Sequence, residues 1–459
     1  MDTVRRITEA LLSEARPLGE RRGLFLTGTR AATCRAAETA TAVVDGDVTV
    51  VSEATDLDGD DHLPPGNSGE LLGTTRSCVV VDCHDACEPN VLGRAVGAVD
   101  GGGLLVVRSP PLASWPDRLD GYDSALTPPP FDPDSARGLF RRWLVETIRA
   151  HRGIAIVDAD SDTVCDDGLV DPPPRRPAAT GSSTTRPEGA AFPPAAYEAC
   201  RTADQRDAVA GCEALRDDGT VVLEAHRGRG KSSAAGLAAG ALAADGRDVL
   251  VTAPNYRNAA PVFDRAAELL AELDALASDD RDGNATPKLT TTDGSLRFRV
   301  PPEAAEERAD VLVVDEAAAL PVSMLRSLLA VAPAACFSTT LHGYEGSGRG
   351  FDVRFREQLE SRRDPRTIRL SEPIRYAAGD PLEVWAFRAL LLDARPPVAA
   401  LVAGATPEAA TYERVDPETL LESEHRLRET FGLLLDAHYR TEPNDLARLL
   451  DGPNVSWRV

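Results

Sequence analysis

Short apolar runs, four to six residues long, recur through the first part of the chain at 23–28, 48–51, 78–82, 103–107 and 154–157. Stretches with helical spacing, 31–42 and 135–148, lie between some of them. Continuous apolar runs suit strands buried on both faces. Strands that alternate with helices predict a parallel sheet under helical cover. The strand ends carry Gly28, Asp82 and a turn at 101–103. None of them makes a phosphate loop with a lysine, so this unit reads as a degenerate or binding-only nucleotide-type fold.

The pattern returns further on. An apolar strand at 221–224 runs into a Gly-rich turn and then an Ala-rich helix at 233–244. A strand at 249–254, a helix at 261–277 and a strand at 311–315 follow. Strand, Gly-rich loop, helix and strand form the context of a nucleotide-binding unit. The expected class is α/β, with two parallel-sheet domains of Rossmann-like or RecA-like type. Residues 1–170 form the first domain and 196–395 the second.

Residues 171–195 join them with prolines and small polar residues, which bury too little surface to order a chain. A polar stretch at 278–293 reads as a surface insertion. Beyond residue 396 come an amphipathic helix at 422–437, a helix at 443–451 capped by Asn444 or Asp445, and the start of a strand at 455–459. These belong to a third unit in which Leu427, Leu434 and Leu435 are expected to lie exposed.

Composition sharpens this picture. The chain has 459 residues, 73 Asp plus Glu against 50 Lys plus Arg, and a net charge of −23. Only two of the basic residues are lysines, Lys231 and Lys288. A carboxylate-rich, lysine-poor surface points to a cytoplasm of very high salt, where like charges are screened. The alternative is an ordinary acidic cytosolic enzyme. Any nucleic-acid site must then be a local basic groove. No apolar run is long enough to span a bilayer, and the N-terminus lacks a signal-type segment, so a soluble cytoplasmic protein is expected. The eight cysteines show no second ligand pair at zinc-site spacing after Cys83 and Cys87, and read as buried free thiols.

One of the two lysines stands in Ala225-His-Arg-Gly228-Arg-Gly230-Lys231-Ser232. Backbone amides of such a loop cradle phosphate oxygens, a compact ammonium reaches the terminal phosphates, and a hydroxyl binds Mg²⁺. The first glycine of the usual pattern is replaced by Ala225. Asp315 and Glu316 end an apolar strand expected beside the loop strand. Asp315 would join Ser232 at Mg²⁺, and Glu316 would orient or deprotonate the attacking water. Gln205, upstream of the loop, has an amide suited to the edge of adenine. Thr252-Ala-Pro-Asn255 resembles a helicase motif. The segment 338–351 follows the next apolar run, where motors couple phosphate state to substrate, and Arg349 lies in it. Arg375 is placed to touch the γ-phosphate. Arginines at 349, 354, 356, 362, 363, 366 and 369 form either a basic face or a salt-bridged surface helix.

The segments Gly343-Tyr-Glu-Gly-Ser-Gly-Arg-Gly-Phe351, Glu372-Pro-Ile-Arg-Tyr376, Gly379-Asp-Pro-Leu-Glu383 and 431–446 resemble the tRNA(Met) cytidine acetyltransferase family. So do Asp82-Cys-His-Asp85, Pro89-Asn90 and Gly101-Gly-Gly-Leu104. The resemblance covers nearly the whole chain. It implies an N-terminal domain, a RecA-like helicase module and a GNAT-type acetyltransferase domain beginning at 396–459. It also implies acetylation of the wobble cytidine of elongator tRNA(Met) at N4, with acetyl-CoA and ATP. The family's ATP contacts would fall on Gln205, Arg227, Gly228, Arg229, Gly230, Lys231, Ser232, Ser233, Gly236 and Arg375. His438 and Tyr439 would belong to the acetyltransferase site. No Arg/Gln-x-x-Gly-x-Gly/Ala turn follows residue 396, so no acetyl-CoA site is expected in this chain. A truncated product, a fragment or one half of a split protein completed by a partner chain would each explain that. The alternative function is a stand-alone RNA-stimulated P-loop ATPase or RNA-remodelling factor.

Overall fold

A computed structural model describes residues 2–170, 186–226, 228–281, 286–340, 355–394, 404–437 and 442–458, the last three positions of helix Glu424–Ala437 by backbone alone. It divides into two compact units, Met1–Pro177 with Arg375–Val459, and Ala178–Ile374. Among the described residues, no helix is long and apolar enough to cross a membrane.

The first unit holds a sheet of β1 (Arg22–Thr27), β2 (Val48–Val51), β3 (Asp61–Leu63), β4 (Arg76–Asp82), β5 (Val99–Ser109), β6 (Ile154–Asp158) and β7 (Thr163–Asp166). Their order is β3-β2-β4-β5-β1-β6-β7, and only the β6–β7 pairing is antiparallel. Strands β1 and β2 are buried along their length and β4 from Cys78 onward, as the continuous apolar runs require.

The second unit contains β8 (Thr220–Ala225), β9 (Asp248–Thr252), β10 (Ser278–Asp279), β11 (Lys288–Thr290), β12 (Ser295–Phe298), β13 (Val311–Val314), β14 (Ala334–Thr340) and β15 (Pro365–Leu370). The order is β10-β11-β12-β9-β13-β14-β8-β15. The five strands β9-β13-β14-β8-β15 are parallel and repeat the order of β2-β4-β5-β1-β6 in the first unit. The stretch expected to be a mere surface insertion instead supplies β10 and β11, which extend the sheet antiparallel and bury Leu289 completely. Its alternation of Leu289 with polar neighbours carried that signal.

Helix Lys231–Ala244 lies under this sheet and packs on helix Tyr256–Glu272. A Cβ at Gly236 would sit 2.4 Å from the Val262 carbonyl oxygen, so the two backbones touch where side chains are missing. The second helix begins five residues before the expected Pro261. The Asn255 side chain accepts from the Asn258 amide and caps it, and Pro261 is carried inside the helix. The tail of the expected linker is also structured. Phe192 is buried, and Glu213 accepts from the Ala191 and Phe192 amides. Residues 171–185 of that linker lie outside the described residues.

Residues 375–395, expected in the second domain, and the segment expected to start a third unit at 396 both belong to the first unit. Arg21 and Asp380 form a buried ion pair at 2.8 Å, with the Tyr376 ring beneath the guanidinium at 3.5 Å. The Asn90 and Asn444 side chains each accept from the other's backbone amide, at 2.8 and 3.1 Å. Asp451, in helix Pro443–Asp451, accepts from the Leu139 amide at 2.6 Å and so caps helix Leu139–Arg149, whose own N-cap Gly138 has no side chain. Strand β16 (Arg414–Val415) pairs antiparallel with β17 (Trp457–Arg458). Leu427 on helix Glu424–Ala437 is fully buried, contrary to expectation, because the segment packs into this unit. Leu434 is half-buried, and the Leu435 side chain lies outside the described residues.

Candidate active site

The site sits at the carboxyl ends of β8, β13 and β14, within the second unit. Strand β8 leads into the glycine turn. Gly228 and Gly230 have φ of 73° and 82°, a left-handed conformation that only glycine adopts without strain. A Cβ at Gly230 would also lie 2.1 Å from Gln205 Nε2. The turn is pinned on two sides. Gln205 Nε2 donates to the Gly230 carbonyl at 3.3 Å, and the Gly228 carbonyl accepts from the Ile374 amide at 2.9 Å. Gln205 itself is buried, with its Oε1 accepting from the Arg201 amide. Thr202 caps its helix by accepting from the Gln205 amide.

Lys231 opens helix Lys231–Ala244 and is 5% exposed. Its ammonium donates to Thr340 Oγ1 at 3.0 Å and lies 3.9 Å from Glu316 Oε1. The Thr340 hydroxyl in turn donates to Glu316 Oε2 at 2.9 Å. Glu316 holds φ 48° and ψ 46°, a left-handed conformation costly for a residue with a Cβ.

Asp315 is completely buried, and neither carboxylate oxygen has a hydrogen-bond partner. Burial pushes its pKa up to about 6, and the neighbouring Glu316 charge adds to the rise. Lys231 and the Ser232 hydroxyl oppose it, the latter from close by but without ordinary hydrogen-bond geometry. An orphaned buried carboxylate beside a helix-start hydroxyl suits a divalent cation with oxygen ligands. Ser232 and Asp315 therefore fit Mg²⁺. Two further buried hydroxyls of the second unit without partners are Thr252, at the end of β9, and Ser338, within β14. The register pairs Val314 with Phe337, the residues just before Asp315 and Ser338.

The expectation that the Asp315 strand lies beside the loop strand is corrected by the topology. β14 runs between β13 and β8. That inserted strand delivers Thr340, one residue of the 338–351 motif with no local signal of its own, to the contact with Lys231 and Glu316. Ser233 Oγ accepts from Arg265 Nε at 3.1 Å, and Gly236 faces helix Tyr256–Glu272, so both serve helix packing. Arg229 is buried, while Arg227 and Arg349 lie outside the described residues, as do His438 and Tyr439. Arg375 belongs to the first unit, where its guanidinium donates to the Thr74 and Gly73 carbonyls at 3.2 and 3.4 Å.

The expected run of arginines divides by environment. Arg356 pairs with buried Glu224, and Arg363 donates to the Leu329 and Ala332 carbonyls. Arg362, Arg366 and Arg369 are exposed, and Arg354 lies outside the described residues.

The matching edge of the first sheet is closed by its own charges. Arg30 bonds Asp82 and Asp85, and Arg108 bonds Asp56. The Asp160 carboxylate takes the Thr29 amide and hydroxyl at the start of helix Arg30–Thr41, the position a phosphate would need. Burial holds the pKa of His84, bonded to Thr33, down at about 4. Seven of the eight cysteines are buried and Cys165 is exposed.

Comparison with known proteins agrees with this architecture. Residues 1–159 match the model for the N-terminal region of tRNA(Met) cytidine acetyltransferase TmcA. Residues 222–393 match that for the helicase domain of RNA cytidine acetyltransferase NAT10/TcmA. The chain is 52% identical over 99% of its length to the tRNA(Met) cytidine acetyltransferase TmcA of Haloarcula marismortui, covering 59% of that protein. It is also 52% identical to the one from Haloferax volcanii, covering 61% of it. Among solved structures, the large terminase of a thermophilic bacteriophage covers 39% of this chain and 46% of its own, at 13% identity and a TM-score of 0.29, too slight a likeness to bear on function. The chain thus spans about three-fifths of the curated relatives it matches. With both matched regions present in order and the relatives alike along the chain, it belongs to the tRNA(Met) cytidine acetyltransferase family.

Proposed function

We propose that this chain is the ATP-hydrolysing, tRNA-handling portion of an enzyme that acetylates the N4 amine of the wobble cytidine in elongator tRNA(Met), with acetyl-CoA as donor. The observation that carries the ATPase part is the convergence of Lys231, Thr340 and Glu316 on one another beside the orphaned Asp315 carboxylate. Amides of the 228–232 turn and the helix behind it bind phosphate oxygens. Lys231 leaves Thr340 to neutralise the terminal phosphates, and Gln205, buried with both ends of its amide bonded, braces the turn instead of presenting a free amide edge to adenine. Glu316 accepts a proton from the attacking water as its oxygen bonds to the γ-phosphorus and the bridging oxygen departs with ADP. Ser232 and Asp315 would hold Mg²⁺, which when bound neutralises phosphate charge. Arg375 stays outside this assignment. Acetyl-CoA handling is assigned to no residue of this chain.

The test is ATP turnover with and without elongator tRNA(Met). Lys231→Ala should abolish turnover while circular dichroism stays unchanged, and elongator tRNA(Met) should stimulate the parent more than other tRNAs do. Turnover and nucleotide affinity that survive Lys231→Ala would refute the reading.

A further inference from the structure

Thr340 receives a bond from Lys231 and gives one to Glu316. A threonine hydroxyl has one proton to donate. Lys231, an ammonium, can only donate, so the Thr340 proton must point at Glu316 Oε2. The direction of the chain Lys231→Thr340→Glu316 is therefore fixed by chemistry.

The three groups come from three elements. Lys231 starts the helix after β8, Glu316 follows β13, and Thr340 ends β14, the strand inserted between those two. Thr340 is 5% exposed, so little water competes for its hydroxyl. Glu316 sits in a left-handed conformation that persists only where its surroundings hold it.

We propose that Thr340 is a positioning residue for ATP hydrolysis: it takes the Lys231 ammonium in the resting site and keeps the Glu316 carboxylate aimed once Lys231 moves to phosphate. This rests on the ATPase reading above. Lys231 gives up one neutral acceptor when nucleotide enters, which a phosphate oxygen replaces. Glu316 keeps its bond from Thr340 throughout, because the donor proton is not the one exchanged. The hydroxyl thus links arrival of the terminal phosphate to the residue that handles water.

The test is steady-state ATP kinetics of the whole chain for Thr340→Val, Thr340→Ser, Glu316→Gln and the Thr340→Val/Glu316→Gln pair. Thr340→Val keeps the shape and removes the hydroxyl. It should lower kcat roughly 10- to 100-fold, the range for one hydrogen bond to a charged group, with KM for ATP within about threefold. Thr340→Ser should restore kcat to within about threefold of the parent. The double variant should be no slower than Glu316→Gln alone, since both changes disable one device. Thermal melting of Thr340→Val distinguishes a folding defect. If the valine variant melts early, the serine rescue and the double-variant comparison at a permissive temperature decide. Parent-like kcat for Thr340→Val, no rescue by serine, or multiplying losses in the double variant would each overturn the proposal. Turnover that survives Lys231→Ala would instead remove the ATPase reading itself.

Discussion

Asp315→Asn should make the nucleotide-free protein more stable while removing its response to Mg²⁺. The Asp315 carboxyl is fully buried without a hydrogen-bond partner, and its pKa is raised from 3.8 to about 6, first by burial and then by Glu316. A raised carboxyl pKa means that the folded state holds the proton more tightly than the unfolded one. Stability therefore falls as pH rises from 3.8 through 6, and the full penalty is present above pH 6. A rise of that size corresponds to about 3 kcal/mol. Asparagine cannot ionise and escapes this penalty, but its own unpartnered N–H groups return about 1–2 kcal/mol. The net gain at pH 8 is then roughly 1–2 kcal/mol, or roughly 2–8 °C in Tm for a unit of this size. The assay is thermal melting in chelator at pH 8 and pH 5, where the ionisation penalty has shrunk to roughly half. A second melt with Mg²⁺ and ATP should raise the parent Tm and leave the variant nearly unmoved by the metal. A variant no more stable than the parent at pH 8, or one whose advantage is the same at pH 5, would show that no buried charge is being relieved.

Three further outcomes follow from the site and its surroundings. Glu316→Gln should retain ATP in calorimetry and lower kcat about 10²- to 10⁴-fold, the usual range for losing a general base, and equal losses of binding and turnover would make Glu316 structural. Gly230→Ala should weaken ATP binding and lower the Tm of the second unit, because φ is 82° and the added Cβ meets Gln205 at 2.1 Å; unchanged nucleotide affinity by calorimetry would contradict the geometry. Arg375→Ala should destabilise the first unit by about 1 kcal/mol through loss of its carbonyl contacts and leave kcat within about threefold, whereas lost turnover with intact melting would place Arg375 at the γ-phosphate.

The two sheets contain the same five-strand parallel order but treat its carboxyl edge differently. In the second unit, the edge keeps a charged carboxylate buried without a partner at Asp315. In the first, Asp82 is answered by Arg30 and Ser52, and Asp160 fills the helix start. A buried carboxylate without a partner costs stability, a cost that a bound cation would offset. That difference at Asp315 is the reason the proposed nucleotide site is assigned to the second unit.

The apolar runs by themselves determined the strands β1, β2, β4, β6, β8, β9 and β13, because a strand covered on both faces has no polar alternative along its length. The loop was equally legible. Gly228, Gly230, Lys231 and Ser232 are local in sequence, and the φ of each glycine is a property of one residue. Tertiary structure alone decided which strand lies between β13 and β8, since strand order depends on crossovers that leave no local trace. For that reason Thr340 could not be picked out of the motif at 338–351, and its meeting with Lys231, 109 positions away, had to be seen in space. The same holds for the C-terminal segment. Its motifs suggested another domain, but Asp380, Trp385, Asn444 and Asp451 find their partners at Arg21, Phe25, Asn90 and Leu139. Contacts across such separations are specified by packing and by the need to satisfy buried polar groups, which no window of sequence contains.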